Sequence, residues 1–233
     1  MNLGFTKSSS KSSSHNESAV VTTIQGKDKD SSITYNNVKN IEYVGTQAKD
    51  TKFIYNNVDN ITKKAVEINN SYSSSNKSTG VSAGVNIGYG RKVLTDNASI
   101  SVSASKSNMN SNGTGLFVNV DEVHNNTKNM TLSGFNQIGG KVTGNIQNLT
   151  IESKQNTSNT TRNTKGGSLS LSPNSNVISG VGINYANRDL ESVTKNTVVG
   201  NVEIGKSSGD EINKDLDTMT EATKDEDTNS KNI

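Results

Sequence analysis

The most specific chemical pattern in the chain is Gly200-Asn201-Val202-Glu203-Ile204-Gly205-Lys206-Ser207. It satisfies the phosphate-loop spacing G-x-x-x-x-G-K-[ST], in which backbone amides cradle phosphates and the lysine neutralises them. Such a loop works where a buried strand meets a helix whose N-terminal N–H groups face the ligand. Here Ser208-Gly209-Asp210-Glu211 follow, placing two acids where an apolar helix should begin. The segment therefore reads as a strand through Val202 and Ile204 that runs into a glycine turn.

The other candidate groups are weaker. His15 and His124 sit in polar stretches, without the close His, Cys or Asp partners of a zinc site or a catalytic triad, and both read as surface residues. Asp121-Glu122 and Asp225-Glu226-Asp227 read as exposed carboxylates, with nothing nearby to raise a pKa for acid–base work. Asp28 and Asp30 lack the third ligand and the glycine of a calcium loop. Gly84, Gly88 and Gly90 miss the dinucleotide spacing. The basic pairs Lys63-Lys64 and Arg91-Lys92 have no interleaved aromatic for base stacking and read as solvated faces, so no nucleic-acid partner is expected. The expectation is a protein that is not an enzyme, with no catalytic, cofactor-binding or metal-ligating residue and no cofactor.

Composition points the same way. Asn, Ser and Thr number 35, 33 and 24, whereas Leu, Ile, Val and Phe together make only 49 of the 233 residues. That share lies near the ~20% floor below which chains usually stay disordered, so a thick α/β core is not expected. Charge-driven disorder does not fit either, because the net charge is +2. A thin solenoid suits these numbers, since each coil leans on its neighbours and needs apolar residues only along a narrow interior. There is no Cys, hence no disulfide or thiolate chemistry. No apolar run approaches the ~18 residues of a membrane span. Up to Val202 there are 20 bases against 13 acids (+7); from Glu203 onward there are four lysines against nine acids (−5).

Repeats supply the architecture. Ile33-Thr34-Tyr35-Asn36-Asn37-Val38-Lys39-Asn40-Ile41 recurs twenty places later as Phe53-Ile54-Tyr55-Asn56-Asn57-Val58-Asp59-Asn60-Ile61. Asn129-Met130-Thr131-Leu132-Ser133 is echoed nineteen places on by Asn148-Leu149-Thr150-Ile151-Glu152. At ~3.3 Å per residue, such a period makes one coil of a triangular β-solenoid with three short strands. Ile33, Val38, Ile41, Phe53, Val58 and Ile61 should then point inward. Asn tolerates the left-handed corners and can hydrogen-bond from coil to coil. A longer duplication, offset by 88 to 89, relates Asn36–Ile41 to Asn125–Met130 and Asn57–Thr62 to Asn145–Thr150. Each copy leads into a Ser/Asn/Thr stretch read as a loop (69–79 and 154–165), then into alternating strands. Those strands place Val81, Ala83, Val85, Ile87 and Tyr89, and later Leu169, Leu171, Val181, Ile183 and Tyr185, on one face. Ala98–Ser105 is expected to pair with Val81–Tyr89 across a polar loop, Arg91–Asn97. Asn213–Lys224 reads as a short helix without a continuous apolar stripe. The organisation expected is a Ser/Lys-rich head (1–17), two repeat units (18–110 and 111–207) and an acidic tail (208–233).

Several phrases in order resemble the haemagglutinin-repeat region of two-partner-secretion exoproteins, the filamentous haemagglutinin and contact-dependent growth inhibition toxin family. Val102-Ser103-Ala104-Ser105-Lys106-Ser107 with Asn112-Gly113-Thr114 is similar to that family's strand followed by an N/D-G-T loop. Leu132-Ser133-Gly134 through Ile138-Gly139-Gly140-Lys141-Val142 looks like the segment that adds a coil and keeps the register. Asn148-Leu149-Thr150-Ile151-Glu152-Ser153-Lys154-Gln155-Asn156-Thr157 is similar to its strand ending in E-S-x-Q-x-T. Gly166–Leu171 and Val199–Gly205 continue the likeness, which covers roughly residues 5–215.

The resemblance implies an all-β fold, a right-handed parallel β-helix with 19- to 20-residue coils and extra strand pairs. It implies a secreted or cell-surface location in a parent protein exported by an outer-membrane two-partner transporter. The partner would be a receptor on a host or neighbouring cell, and the role adhesion or delivery of a contact-dependent toxin. The opening residues, Leu3-Gly4-Phe5-Thr6-Lys7 and the Ser/Lys run, show no signal-peptide core, so the chain reads as an internal or orphaned piece of such an exoprotein. The alternative is a largely disordered surface or phage-like binding protein that orders on its partner.

Overall fold

The computed structural model describes residues 2–28, 30–88, 91–172, 175–200 and 202–232. Tyr89 of the first alternating run and Asn201 of the phosphate-loop match lie outside them. So do the side chains of residues 2, 83–96, 170–180, 231 and 232, which include Ala83, Val85, Ile87 and Leu171.

The protein is all-β. It opens with one long strand, β1 (Asn2–His15), then winds a first coil from β2 (Thr23–Gln25), β3 (Ser32–Asn36) and β4 (Asn40–Val44). A second coil follows, β5 (Gln47–Lys49) and β6 (Lys52–Lys64), and then a long hairpin, β7 (Val66–Gly88) and β8 (Arg91–Gly113). The pattern repeats: β9 (Gly115–Val118) with β10 (Asp121–Ser133), β11 (Phe135–Ile138) with β12 (Val142–Glu152), and the hairpin β13 (Lys154–Ser172) with β14 (Ser175–Thr194). A last coil, β15 (Thr197–Val199) and β16 (Ser208–Gly209), leads through a 3-10 turn at Leu216–Thr218 into β17 (Thr220–Asn232).

These strands form three sheets. One runs β2-β5-β9-β11-β15 and a second β3-β6-β10-β12-β16, with β4 also on β6; every pairing in both is parallel. The third, β1-β7-β8-β13-β14-β17, is antiparallel throughout. The twenty-residue repeat is therefore a pairing register: Ile33 lies beside Phe53 and Ile41 beside Ile61. The nineteen-residue echo is likewise the pairing of Asn129 with Asn148.

The corners explain the asparagines. β6 and β10 bend midway at Asn57 (φ 53°) and Asn126 (φ 70°), and Asn37 (φ 54°) makes the same corner between β3 and β4. Asn accepts the left-handed region at less cost than other side chains with a Cβ. Side-chain amides then run along the stack. Asn125 Nδ2 donates to Asn56 Oδ1 (2.8 Å), whose Nδ2 donates to Asn36 (2.7 Å), and Asn148, Asn129, Asn60 and Asn40 form a parallel chain at 2.8 to 3.0 Å. Gly140 (φ 87°) serves a different need, because a Cβ there would lie 2.1 Å from the Val120 carbonyl oxygen.

Inside the coils, Phe53, Tyr55, Val58, Ile61, Phe117, Val120, Met130, Leu149 and Ile151 are buried. Of the six residues expected inward, Ile41, Phe53, Val58 and Ile61 are buried, and Ile33 and Val38 are partly buried against the same core.

The coil sheets are parallel, and the extra strand pairs expected beside them form the antiparallel sheet. Three expectations are corrected. Residues 69–79, 91–97 and 154–165 are not loops but parts of β7, β8 and β13. Ala98–Ser105 does not lie along Val81–Tyr89 as expected: apart from Val81 opposite Ala98, it pairs with Gly80–Ser74, and the ladder continues the other way to Gly88 opposite Arg91. Ser and Thr in these stretches have neighbours on both sides, so ladder hydrogen bonds satisfy their backbone and outweigh weak propensity. Finally, Asn213–Lys224 holds no α-helix: a 3-10 turn precedes β17, which pairs with β14.

Val58 has no exposed surface. Val58→Asp should abolish the cooperative thermal melt followed by circular dichroism, because an unpaired carboxylate there costs several kcal/mol. An unchanged melt would mean that the coils do not stack.

Candidate functional site

The phosphate-loop match is the first candidate to place. Val202 is buried and Gly205 takes φ 92°, but the expected strand through Val202 and Ile204 does not form: β15 ends at Val199, and among the described residues no strand is present again before Ser208. No helix follows Lys206; the chain passes directly into β16. No fan of N-terminal amides faces the lysine, which is exposed.

Other carboxylates have structural partners. Asp28 Oδ1 accepts from the Asp30 backbone N–H (3.1 Å), closing a turn. Asp121 accepts from the Lys141 N–H (2.9 Å), and Asp225 faces Arg188. Among the described residues no cluster of three or more His, Asp or Glu could hold a metal ion. No helix there is long and apolar enough to cross a membrane.

The buried interior holds what the sequence reading missed. Lys63, Glu122 and His124, all expected at the surface, have 0%, 0% and 1% of their area exposed. Lys63 Nζ bridges both Glu122 oxygens, at 2.6 Å to Oε1 and 2.7 Å to Oε2. It also lies 4.5 Å from the Phe117 ring centroid, so its charge faces a π-cloud as well. Tyr55 Oη donates to Glu122 Oε1 (3.2 Å), leaving Tyr43 Oη, 3.0 Å away, to donate to Tyr55. His124 stacks on Tyr55 with ring centroids 4.8 Å apart, and its Nδ1 meets Thr127 Oγ1 at 2.8 Å.

Burial drives the protonation behaviour. It lowers the Lys63 pKa, opposed by the Glu122 charge, and it raises the Tyr55 hydroxyl well above its ordinary value, aided by Glu122. Burial also pushes His124 down to about 4, with Glu122 opposing and Lys63 reinforcing. Each polar group but His124 Nε2 has a partner, and nothing in the cluster faces an opening. The cluster is a polar clasp between the second and third coils.

A signal for it existed in the repeats. The 89-residue offset that relates Asn36 to Asn125 also puts Glu122 at the position of Ile33 and His124 at that of Tyr35. The 20-residue offset puts Lys63 at the position of Tyr43. All three occupy inward slots by register alone.

The antiparallel sheet carries the second candidate. Residues directly opposite across a ladder share a face. One row is Phe5, Val81, Ala98 and Leu169; the next is Lys7, Thr79, Ile100, Gly167 and Val181; a third continues Lys77, Val102, Lys165 and Ile183. The opposite face is built from Gly80, Ser99, Ser101 and their neighbours. The apolar face is open to solvent: Phe5 is 69% exposed, Val81 59%, Ile100 50% and Val181 60%. A shallow groove of about 430 Å³ runs over Val81, Ala98, Ile100, Leu169 and Val181. Lys7, Lys77 and Lys165, all exposed, rim it on one side. A contiguous apolar patch with a polar rim is the form of a binding surface.

Two predictions attach to the clasp. Lys63→Met and Glu122→Leu alone should each cost about 3–5 kcal/mol in denaturant unfolding, because each strands a buried charge, and the double variant should recover most of the loss. Additive losses in the double variant would mean the charges are not coupled. For His124, the folded pKa lies below the unfolded value, so the unfolded chain takes up the proton first as pH falls from 6.5 toward about 4. Stability is lost across that window, by on the order of 3 kcal/mol. His124→Phe with Thr127→Val keeps the stacking and removes both hydrogen-bond partners, so its melting point should fall less over the same range.

A family model described as hemagglutinin repeat matches residues 3–167, well over half of the chain. No curated protein and no solved structure matches it. The match spans the first four coils, the first hairpin and most of β13. With the period, the asparagine corners and the hairpin sheet, it places this chain in the hemagglutinin-repeat family.

Proposed function

We propose that this chain is a non-catalytic segment of a filamentous, surface-exposed exoprotein and that it acts in adhesion. On this reading the coils form a right-handed parallel β-helix. The two hairpins and their flanking strands form a flange that presents the apolar face to a receptor on a host or neighbouring cell. Family membership supports a haemagglutinin-like adhesin and a secreted or surface location. Export by an outer-membrane two-partner transporter and service in toxin delivery are further parts of the proposal, and both would use the same rod. The absence of a helix after Lys206, and the enclosure of the Lys63–Glu122 pair, support the non-catalytic part.

The observation that carries the reading is the uncovered face across five strands, with Phe5, Val81, Ile100 and Val181 each at least half exposed. In a free-standing protein such residues have no packing role to justify them. Their removal should therefore leave the fold intact. Phe5→Ser, Val81→Ser and Val181→Ser together should shift the melt by little, as surface substitutions do. Binding to erythrocytes or cultured cells should drop at least tenfold. A triple variant that binds as the wild type would show that adhesion lies elsewhere.

A further inference from the structure

Both carboxyl oxygens of Glu122 accept from one nitrogen, Nζ of Lys63, at 2.6 and 2.7 Å. Carboxyl C–O bonds are ~1.23 Å long, so these distances hold Nζ within about 3 Å of Cδ, inside the ~3–3.5 Å of a near-attack pair. The terminal torsion of a Glu side chain is soft, and a turn about it brings the face of the carboxyl, and so its carbon, toward the nitrogen.

The surroundings favour the uncharged forms. Neither side chain has any exposed surface, and the Phe117 and Phe135 ring centroids lie 4.5 and 5.8 Å from Nζ. Burial draws the Lys63 ammonium toward the free amine. A proton passed along the 2.7 Å contact to Oε2 leaves an amine facing a carboxylic acid. Tyr55 Oη donates to the other oxygen, Oε1, at 3.2 Å, and accepts in turn from Tyr43 Oη at 3.0 Å. A donor at that oxygen stabilises the negative charge that develops there when the carbon is attacked.

We infer that Lys63 and Glu122 condense to an amide, a covalent cross-link between the second and third coils. The Nζ lone pair attacks Cδ and forms the C–N bond, and the displaced electron pair goes to Oε1, where Tyr55 holds it. The C–Oε2 bond then breaks as Oε2, already carrying one proton, takes a second from the nitrogen and leaves as water. Amine and acid become one secondary amide and one water, with no oxidant, reductant or activating group. Each chain undergoes the change once, so the step is a maturation and not a turnover. The ion pair is the state of the newly folded chain. Exclusion of bulk water protects the product from hydrolysis.

Lys63 is the last residue but one of β6 and Glu122 the second of β10, so the amide bridges the whole first hairpin. Tension along the chain passes from coil to coil through the amide, and the hairpin between them carries none. The inference is independent of what the apolar face binds.

The test is the intact mass of the 233-residue chain, measured in denaturant after the folded protein has been incubated for increasing times, with tandem mass spectrometry of its peptides. The wild type should come to weigh one water less than its sequence, with the peptides that contain Lys63 and Glu122 joined. The double variant Lys63→Met, Glu122→Leu strands no charge and should keep its full mass. Tyr55→Phe keeps the stacked ring and should condense about a hundredfold more slowly. A wild type that keeps its full mass, a lost water that maps only to other residues, or the same loss in the double variant overturns the inference. A Tyr55→Phe chain that condenses at the wild-type rate overturns the part given to Tyr55.

Discussion

The constraint on which the rest depends is the register between coils. In a parallel ladder each inward residue sits on an inward residue of the next coil, and a slip of one residue would turn every side chain to the opposite face. Here register is held from outside and inside at once. Outside, the amides of Asn36, Asn56 and Asn125 link one coil to the next, and Asn40, Asn60, Asn129 and Asn148 do so on the following face. Inside, the rings of Tyr35, Tyr55 and His124 stack in one row, at 5.6 and 4.8 Å. A slip would break both rows together. This allows so thin a core to specify one arrangement, although the chain is poor in large apolar residues.

The buried pair is best understood in that setting. Lys63 and Glu122 come from coils separated in sequence by the whole first hairpin, and they meet only if β10 lands on β6 in the observed register. A buried ion pair adds little net stability compared with an apolar replacement, because desolvation offsets the attraction. It heavily penalises any arrangement that parts the two charges. The clasp thus guards the first step in the stack where the chain leaves the coils for a long hairpin, between Lys64 and Leu116, and must return to the right place.

The hairpins bring a different balance of forces. Their strands are far longer than those of the coils and are rich in Ser, Thr and Asn, so little apolar burial holds them. Ladder hydrogen bonds and lateral continuity do, since β8 pairs with β13 and joins the two hairpins in one sheet. Phe5, Val81, Ile100 and Val181 of this sheet lie on one open face instead of being buried.

Much of this was determined by the sequence alone. The period set the coils, the Asn-Asn pairs marked the corners, and the inward places of Phe53, Val58 and Ile61 followed from spacing, because stacking repeats itself locally. Alternation also located the apolar strand face around Val81, since period two is a local property. What only the tertiary structure decided was whatever depends on partners distant in the chain. Residues 69–79 and 154–165 become strands because neighbours on both sides take up their hydrogen bonds, which no local propensity records. Lys63, Glu122 and His124 are interior because the 20- and 89-residue offsets assign them inward slots, overriding the polarity that read them as surface. Their charges are tolerable there only because the fold brings them together.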